Sequence, residues 1–338
     1  MKILHIVPHL GGGVGNVICD WMEKVGPEDP VVCCLDYINK KATAMLNNSR
    51  IEWFDNLSDR LIIKLDMLMG LFDIDIVLVH WWDHPMLEEL IKTEFPACRL
   101  IFWCHKNYNI PTNIIQYPDL CIGTSLIQNM PDGYIWSTVN MDKFINNYPT
   151  EHNRFNIGYV GTADYKKLHT NFVPMCQEIH RRIPNSKFTI VGDYNLPEDL
   201  AKSPDFDFMN FVGKKDDVKC YYTNMDVFGY PLRSDHYGTC EQVIGEAMAS
   251  GLPVVCMDNP CERTIIEEGV AGFLCKDEQE YIDNIEHLYY KPELRNFMGK
   301  NSRQAAVGIY NIKNMITAWD ATFKDIMQKP KKERKPVI

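Results

Sequence analysis

From Asp226 onward the chain reads DVFGYPLRSDHYGTCEQVIGEAMASGLPVVCMDNPCERTIIEEGVAGFLC. An apolar run, a glycine-bearing polar loop, a helical pattern and a second apolar run follow one another. Short runs that stay apolar throughout are strands buried on both faces, which requires a parallel sheet covered by helices. Thr239 and Gln242 have capping-box spacing, so a helix is expected just after Thr239, with Glu246 on its inward side. Preceded by Tyr237 and Gly238, that helix start turns unpaired N–H groups toward the carboxyl end of the sheet. Open α/β folds bind ligands there, and the helix dipole favours phosphate. A capped helix without a ligand is the plainer alternative.

The same alternation runs along the whole chain. In the first half, Ile3–Val7, Val31–Leu35, Ile74–His80, Arg99–Cys104 and Leu120–Gly123 are expected strands. Helical patterns lie between them, around Val17–Lys24, Leu61–Leu71 and Met86–Thr93. A polar break, NNYPTEHNR, separates this half from a second series of strands: Phe155–Val160, Lys187–Val191, Phe208–Val212, Val227–Pro231, Val254–Met257 and Gly272–Leu274. Helices are expected near Asn171–Arg182, Val218–Thr223, Gln242–Ser250, Cys261–Glu268 and Glu280–Tyr290. The expectation is α/β: two doubly wound, Rossmann-like domains, residues 1–148 and 149–311, facing a central cleft. A helix over 312–328 crosses back to the first domain, and 329–338 is a disordered basic tail.

The chain has 338 residues, 46% of them apolar, enough for two domains with large cores. No apolar run reaches membrane-spanning length, and MKILHIVPHLGGG reads as a first strand rather than a leader peptide. Twelve scattered cysteines without a C-x-x-C pair point to reduced thiols in a cytoplasmic protein and to no zinc site. A net charge of −10 argues against nucleic acid as a partner. The basic tail KPKKERKPVI is a solvated end or a peripheral contact with the anionic inner face of a membrane.

Two glycine loops stand at βα junctions. Gly11, Gly12, Gly13 and Gly15 follow the first strand but fit G-x-G-x-x-G poorly, although Asp36 ends the second strand where a ribose-binding acid would stand. Gly158, Gly161 and Thr162 repeat the layout, followed by Lys166 and Lys167. A flexible ammonium beside a backbone nest suits a diphosphate, and Lys167 is preferred as nearer the expected helix. Lysines that simply face water are the alternative. His9, Trp81, Trp82 and His84 are candidates to line an acceptor pocket, with packing the plainer expectation for the indoles. His9 and His236, at loop positions, are likewise cleft candidates, with an exposed structural role the plainer expectation for each.

In order and spacing, GYVGTADYKKLH, VGDYN, FVGKKDDV, DVFGYPL, EQVIGEAMASGLPVV and CERTIIEEGVAGFLC resemble retaining glycosyltransferases of the GT-B superfamily, family 4 in particular. DIVLVHWW, CIGTS and WSTVNMDKF extend the resemblance more loosely into the first half. The resemblance implies a hexosyltransferase with a nucleotide-diphosphate sugar as co-substrate, no cofactor or metal, and a glycan, lipid-linked or small-molecule acceptor. Residue by residue, Glu246 matches the second acid of the family's Glu-x7-Glu motif, and Lys167 the residue that neutralises the diphosphate. Backbone at Tyr237, Gly238 and Thr239 faces phosphate and sugar, Gly12 and Gly13 approach the diphosphate, and His105 lies near the donor sugar. Gly161, Thr162 and Glu241 complete the donor-binding candidates. The chain departs from the pattern at Gly238, where the first acid is expected, and at Thr162 and Ala163, where an arginine is usual. A non-catalytic sugar- or partner-binding module, a sugar-nucleotide epimerase or phosphorylase on the same fold, and an NAD-dependent oxidoreductase are the competing readings.

Overall fold

The computed structural model describes residues 1–26, 30–55, 61–92, 94–107, 109–195 and 206–337. Thr93 and Ile338, the last residues of an expected helix and of the tail, lie outside them. Two compact units emerge: residues 1–140 with 312–338, and residues 141–311. The division falls at 140 rather than 148, and the helix Ile312–Ile326 is part of the first unit.

The first unit is built on strands β1 (Ile3–Leu10), β2 (Pro30–Ile38), β3 (Glu52–Phe54), β4 (Ile76–Trp81), β5 (Phe95–Cys104) and β6 (Leu120–Gly123). They are parallel in the order β3-β2-β1-β4-β5-β6, so β1 sits at the centre. Every residue of β4 is buried, and all are apolar except His80. Helix α1 (Gly12–Val25) leaves β1 so tightly that a Cβ on Gly15 would lie 2.7 Å from the Leu10 carbonyl carbon. The helix Ile312–Ile326 contributes Trp319, fully buried, which stacks on Trp21 at 5.5 Å and meets Trp103 edge-on at 5.1 Å.

The basic tail is a strand, not a disordered end. Lys332–Arg334 pairs antiparallel with the first half of β5, while β6 occupies the second half. Arg334 is 9% exposed and donates to the carbonyls of Cys98 and Tyr117, both at 3.0 Å, and to the carboxylate of Asp119. Lys332 adds an ion pair to Asp119 at 3.0 Å. A buried carboxylate needs such cations, and the sequence around the tail gives no sign of the acid that draws it in.

The second unit holds β7 (Phe155–Val160), β9 (Ser186–Val191), β11 (Met209–Gly213), β12 (Val227–Tyr230), β13 (Val254–Met257) and β14 (Gly272–Cys275). The order is β11-β9-β7-β12-β13-β14, all parallel. A two-stranded ladder, β8 (Ala163–Asp164) with β10 (Tyr194–Asn195), extends the loops at the carboxyl ends of β7 and β9. The helices Phe172–Arg182, Lys219–Tyr222, Gln242–Ala249 and Glu278–Tyr290 fall close to their expected positions, whereas Pro260–Arg263 is a single turn. Pro292–Ile309 is a long helix outside the expected set; only four of its residues are buried, so its apolar stripe is weak.

Candidate functional site

At the carboxyl end of β7 the chain turns through Gly161 and exposed Thr162 into a pinned segment. Lys167 and Leu168 donate their N–H groups to the Asp164 carbonyl at 2.8 and 2.7 Å, and His169 donates to the Pro231 carbonyl at 2.9 Å. Leu168 is fully buried and bridges Leu232. This anchorage delivers the Lys167 ammonium to the end of β12. Its Nζ donates to Tyr230 OH and to Glu241 Oε2, both at 2.9 Å, and the Tyr230 hydroxyl donates to the same oxygen at 2.6 Å. The side chains of Lys167 and Glu241 are 15% and 3% exposed. Burial alone would push the Glu241 carboxyl up, but the Lys167 charge and the bonds from Tyr230 and Lys167 outweigh it and hold the group below its ordinary range. For Lys167, burial works downward and Glu241 overcomes it, leaving the ammonium above its usual value. Both shifts favour the charged pair.

Glu241 precedes the helix Gln242–Ala249 in a left-handed conformation, φ 31° and ψ 68°. The expected capping box does not form: the helix begins at Gln242, Glu241 occupies the cap position, and no side chain caps it. The Glu241 carboxylate is held instead by Lys167 and Tyr230. A non-glycine residue in this region carries about 1 kcal/mol or more of strain. Fully buried Tyr310 opposes that strain by donating to the Cys240 carbonyl at 2.7 Å and the Glu241 carbonyl at 3.2 Å. Position 238 is part of the same arrangement, because a Cβ on Gly238 would overlap Glu241 Oε1.

His236, expected to be exposed, is 7% exposed. Its Nδ1 accepts the Gly238 N–H at 3.1 Å, and its Nε2 faces the carboxylate of Glu262, 3.2 Å from Oε1 and 3.3 Å from Oε2. Glu262 is wholly buried in the turn Pro260–Arg263, and no sequence motif had singled it out. Glu246 is 8% exposed on the helix Gln242–Ala249, where Oε2 accepts the hydroxyl of buried Tyr222 at 2.9 Å. Tyr237 is 42% exposed, with its ring 5.8 Å from Lys167 Nζ, and Thr239 is buried. Asp235 and Arg233 pair with each other at 2.7 Å.

The first unit gathers a separate set at the carboxyl ends of β1, β2, β4 and β5. Three imidazoles lead to it from inside the sheet, starting within β1: His5 Nδ1 is 3.1 Å from His80 Nε2, and His80 Nδ1 is 3.0 Å from His105 Nε2. Burial lowers His5 and His105 to about 3, and His80 well below its ordinary value. Around His105 lie half-buried Trp82, His84 and His9, with ring centroids between 5.7 and 6.3 Å apart, and Tyr37 stacks on His9 at 5.2 Å. Trp81 does not join them. It is 1% exposed and stacks on Phe102 at 4.7 Å in the core, because alternate residues of a strand point to opposite faces. His84 also accepts the Met86 N–H at 3.3 Å, capping the helix Pro85–Ile91. Gly12 and Gly13 are exposed in the first turn of α1, and Asp36 is exposed near the end of β2.

Residues 154–291 match the family model described as Glycosyl transferases group 1. Superposition on solved structures covers nearly the whole chain. Anabaena HepE in complex with UDP-glucose aligns with a TM-score of 0.77 over 96% of this chain and 100% of that one, at 15% identity. Sucrose-phosphate synthase from Thermosynechococcus elongatus aligns with a TM-score of 0.70 over 97% and 100%, also at 15% identity. The chain has the GT-B glycosyltransferase fold.

Sequence similarity to curated proteins covers parts of the chain. An uncharacterized glycosyltransferase of Haemophilus influenzae is 30% identical over 150 residues, 42% of this chain and 41% of that protein. Alpha-monoglucosyldiacylglycerol synthase of Acholeplasma laidlawii is 28% identical over 131 residues, 37% and 32% of the two chains. The matched segments thus span less than half the length of these curated relatives. Within the GT-B frame, the structure gathers Lys167, Gly238, Glu241 and Tyr237 in one place, and adds Tyr230, His236 and Glu262. Among the described residues no helix is long and apolar enough to cross a membrane.

Proposed function

We propose that this protein is a retaining glycosyltransferase that moves a hexosyl group from a nucleoside diphosphate sugar to an acceptor hydroxyl. The observation that carries the reading is the Lys167 ammonium, 15% exposed, fixed at the end of β12 beside a glycine loop. A cation held in a dry, preorganised setting stabilises a leaving diphosphate far more than one in water. UDP and UDP-glucose in the HepE complexes support a nucleotide-sugar donor here. The Acholeplasma relative, an alpha-monoglucosyldiacylglycerol synthase by name, supports a lipid acceptor among the glycan, lipid-linked and small-molecule ones.

In this mechanism the bond between the anomeric carbon and the diphosphate oxygen breaks as positive charge grows on the sugar. The acceptor oxygen attacks the same face, and its proton passes to the departing phosphate. Lys167 and backbone N–H groups at Tyr237, Gly238 and Thr239 take up the developing negative charge, so no metal is required of the donor site. Glu246, fixed by Tyr222, is assigned to the ribose hydroxyls. Trp82, His84, His9 and His105 are assigned to the acceptor or the transferred sugar. Nucleoside diphosphate release from UDP-, GDP- and ADP-sugars is the test, with the anomeric configuration of the product read by NMR. Release with retention supports the proposal. An inverted product rejects the mechanism, and the absence of release or binding with every donor rejects the enzyme in favour of a binding module.

A further inference from the structure

The geometry points to His236, backed by Glu262, as a positioning residue that takes up a proton when a nucleoside diphosphate occupies Lys167. The inference rests on the proposed donor site, since it concerns the same diphosphate.

The hydrogen bonds define the starting state. A backbone N–H can only donate, so the Gly238 N–H at 3.1 Å makes Nδ1 of His236 an acceptor. The ring proton therefore sits on Nε2, directed at Glu262, and the imidazole is neutral. Charged groups stand on each of the elements packed against it. Glu262 faces Nε2 from the turn Pro260–Arg263, and Glu241 Oε1 lies 3.8 Å from Nδ1 at the head of the helix Gln242–Ala249. Lys167 stands on the far side of Glu241. Asp235, on the same loop, is held by a two-pronged bond to Arg233 at 2.7 and 2.8 Å.

Now let the diphosphate draw the Lys167 ammonium to itself. Glu241, 3% exposed, loses its cation, and an unpaired buried carboxylate is strongly disfavoured. The nearest group able to become cationic is His236. A proton added at Nδ1 must end the bond from Gly238 and turn to Glu241 Oε1. One proton thus restores charge balance around Glu241 and releases the Gly238 N–H for the incoming phosphate. Nothing is oxidised or reduced; the proton comes from solvent. Glu262 steadies the imidazolium from the opposite nitrogen.

The test is calorimetric titration of the full chain with UDP and with GDP at pH 8, where the terminal phosphate is already ionised, in buffers of different ionisation enthalpy. The expected result is an apparent binding enthalpy that varies linearly with buffer enthalpy, with a slope of up to about one proton taken up per site. Linkage then tightens binding by at most about tenfold per unit fall in pH. His236→Asn keeps an oxygen able to accept the Gly238 N–H but cannot titrate, and is expected to abolish the slope while still binding nucleotide. Glu262→Gln, checked for native circular dichroism, is expected to reduce it. Nucleotide binding with no buffer dependence, or a slope unchanged in His236→Asn, overturns the inference and leaves the donor site standing. Failure of both nucleotides to bind at millimolar concentration overturns the donor site itself, and the inference with it.

Discussion

The carboxylate of Glu241 fills the space in which a side chain at Gly238 would begin. It cannot retreat cheaply, because Lys167 and Tyr230 both hold its other oxygen. Gly238→Ala is therefore expected to destabilise the second unit by about 1–3 kcal/mol, the usual range for forcing an extra carbon into a packed site. With Glu241→Ala in the same chain the loss should be less than additive, because the collision disappears. Thermal or urea denaturation of the two single variants and the double variant gives the coupling.

Removing the Lys167 charge should affect catalysis and stability separately. Lys167→Met takes the ammonium away from buried Glu241, at a cost of up to about 3–5 kcal/mol that shrinks as His236 takes up a proton in its place. Lys167→Met combined with Glu241→Gln removes both charges and should recover most of that stability. Transfer should not recover: kcat/KM is expected to stay reduced by about 10²–10³-fold, the scale of losing one preorganised donor to a leaving group. Steady-state kinetics on the double variant decide the matter.

The buried histidines make a prediction about acid. Unfolded imidazoles take up protons near pH 6.5, whereas His5 and His105 in the folded chain resist until about 3. Between those values the unfolded state binds more protons, so stability falls as pH falls. The slope is at most about 1.4 kcal/mol per pH unit for each imidazole, and this contribution is flat above pH 6.5. His5→Phe should make the decline between pH 6 and 4 shallower in urea titrations at stepped pH.

Arg334 tests whether the tail is structural. With Asp119 only 1% exposed at its side chain, Arg334→Ala leaves a buried acid with Lys332 as its remaining cation. A loss of about 3 kcal/mol is expected, toward the lower end for a broken buried pair because that lysine persists. Arg334→Lys should recover part of it. Hydrogen exchange at β5 would report the lost cover directly.

How far the sequence carried depends on the kind of signal. The strands Phe155–Val160 and Val254–Met257 were legible to the residue: the second is buried and apolar throughout, and the first is so but for half-buried Asn156. The tail strand was not, since Lys332–Arg334 has no apolar signal and forms only because β5 offers an open edge and Asp119 a charge. Thr239 and Gln242 carried a capping pattern that tertiary contacts overrode. Trp81 and Trp82, adjacent and chemically alike, separated into core and site where β4 ends: Trp81 is its last residue and points into the core, and Trp82 lies just beyond it.

Local order in the chain settled the two parallel sheets, the glycine turns at their carboxyl ends and the place of Lys167 near one of them, because periodicity and turn chemistry act over a few residues. Long-range packing alone decided what Lys167 touches. Glu241 lies 74 positions away and Tyr230 63, and Glu262 meets His236 across 26. Such meetings leave no periodic trace: the polar partners converge only after the apolar faces have packed, and burial then makes their charges matter.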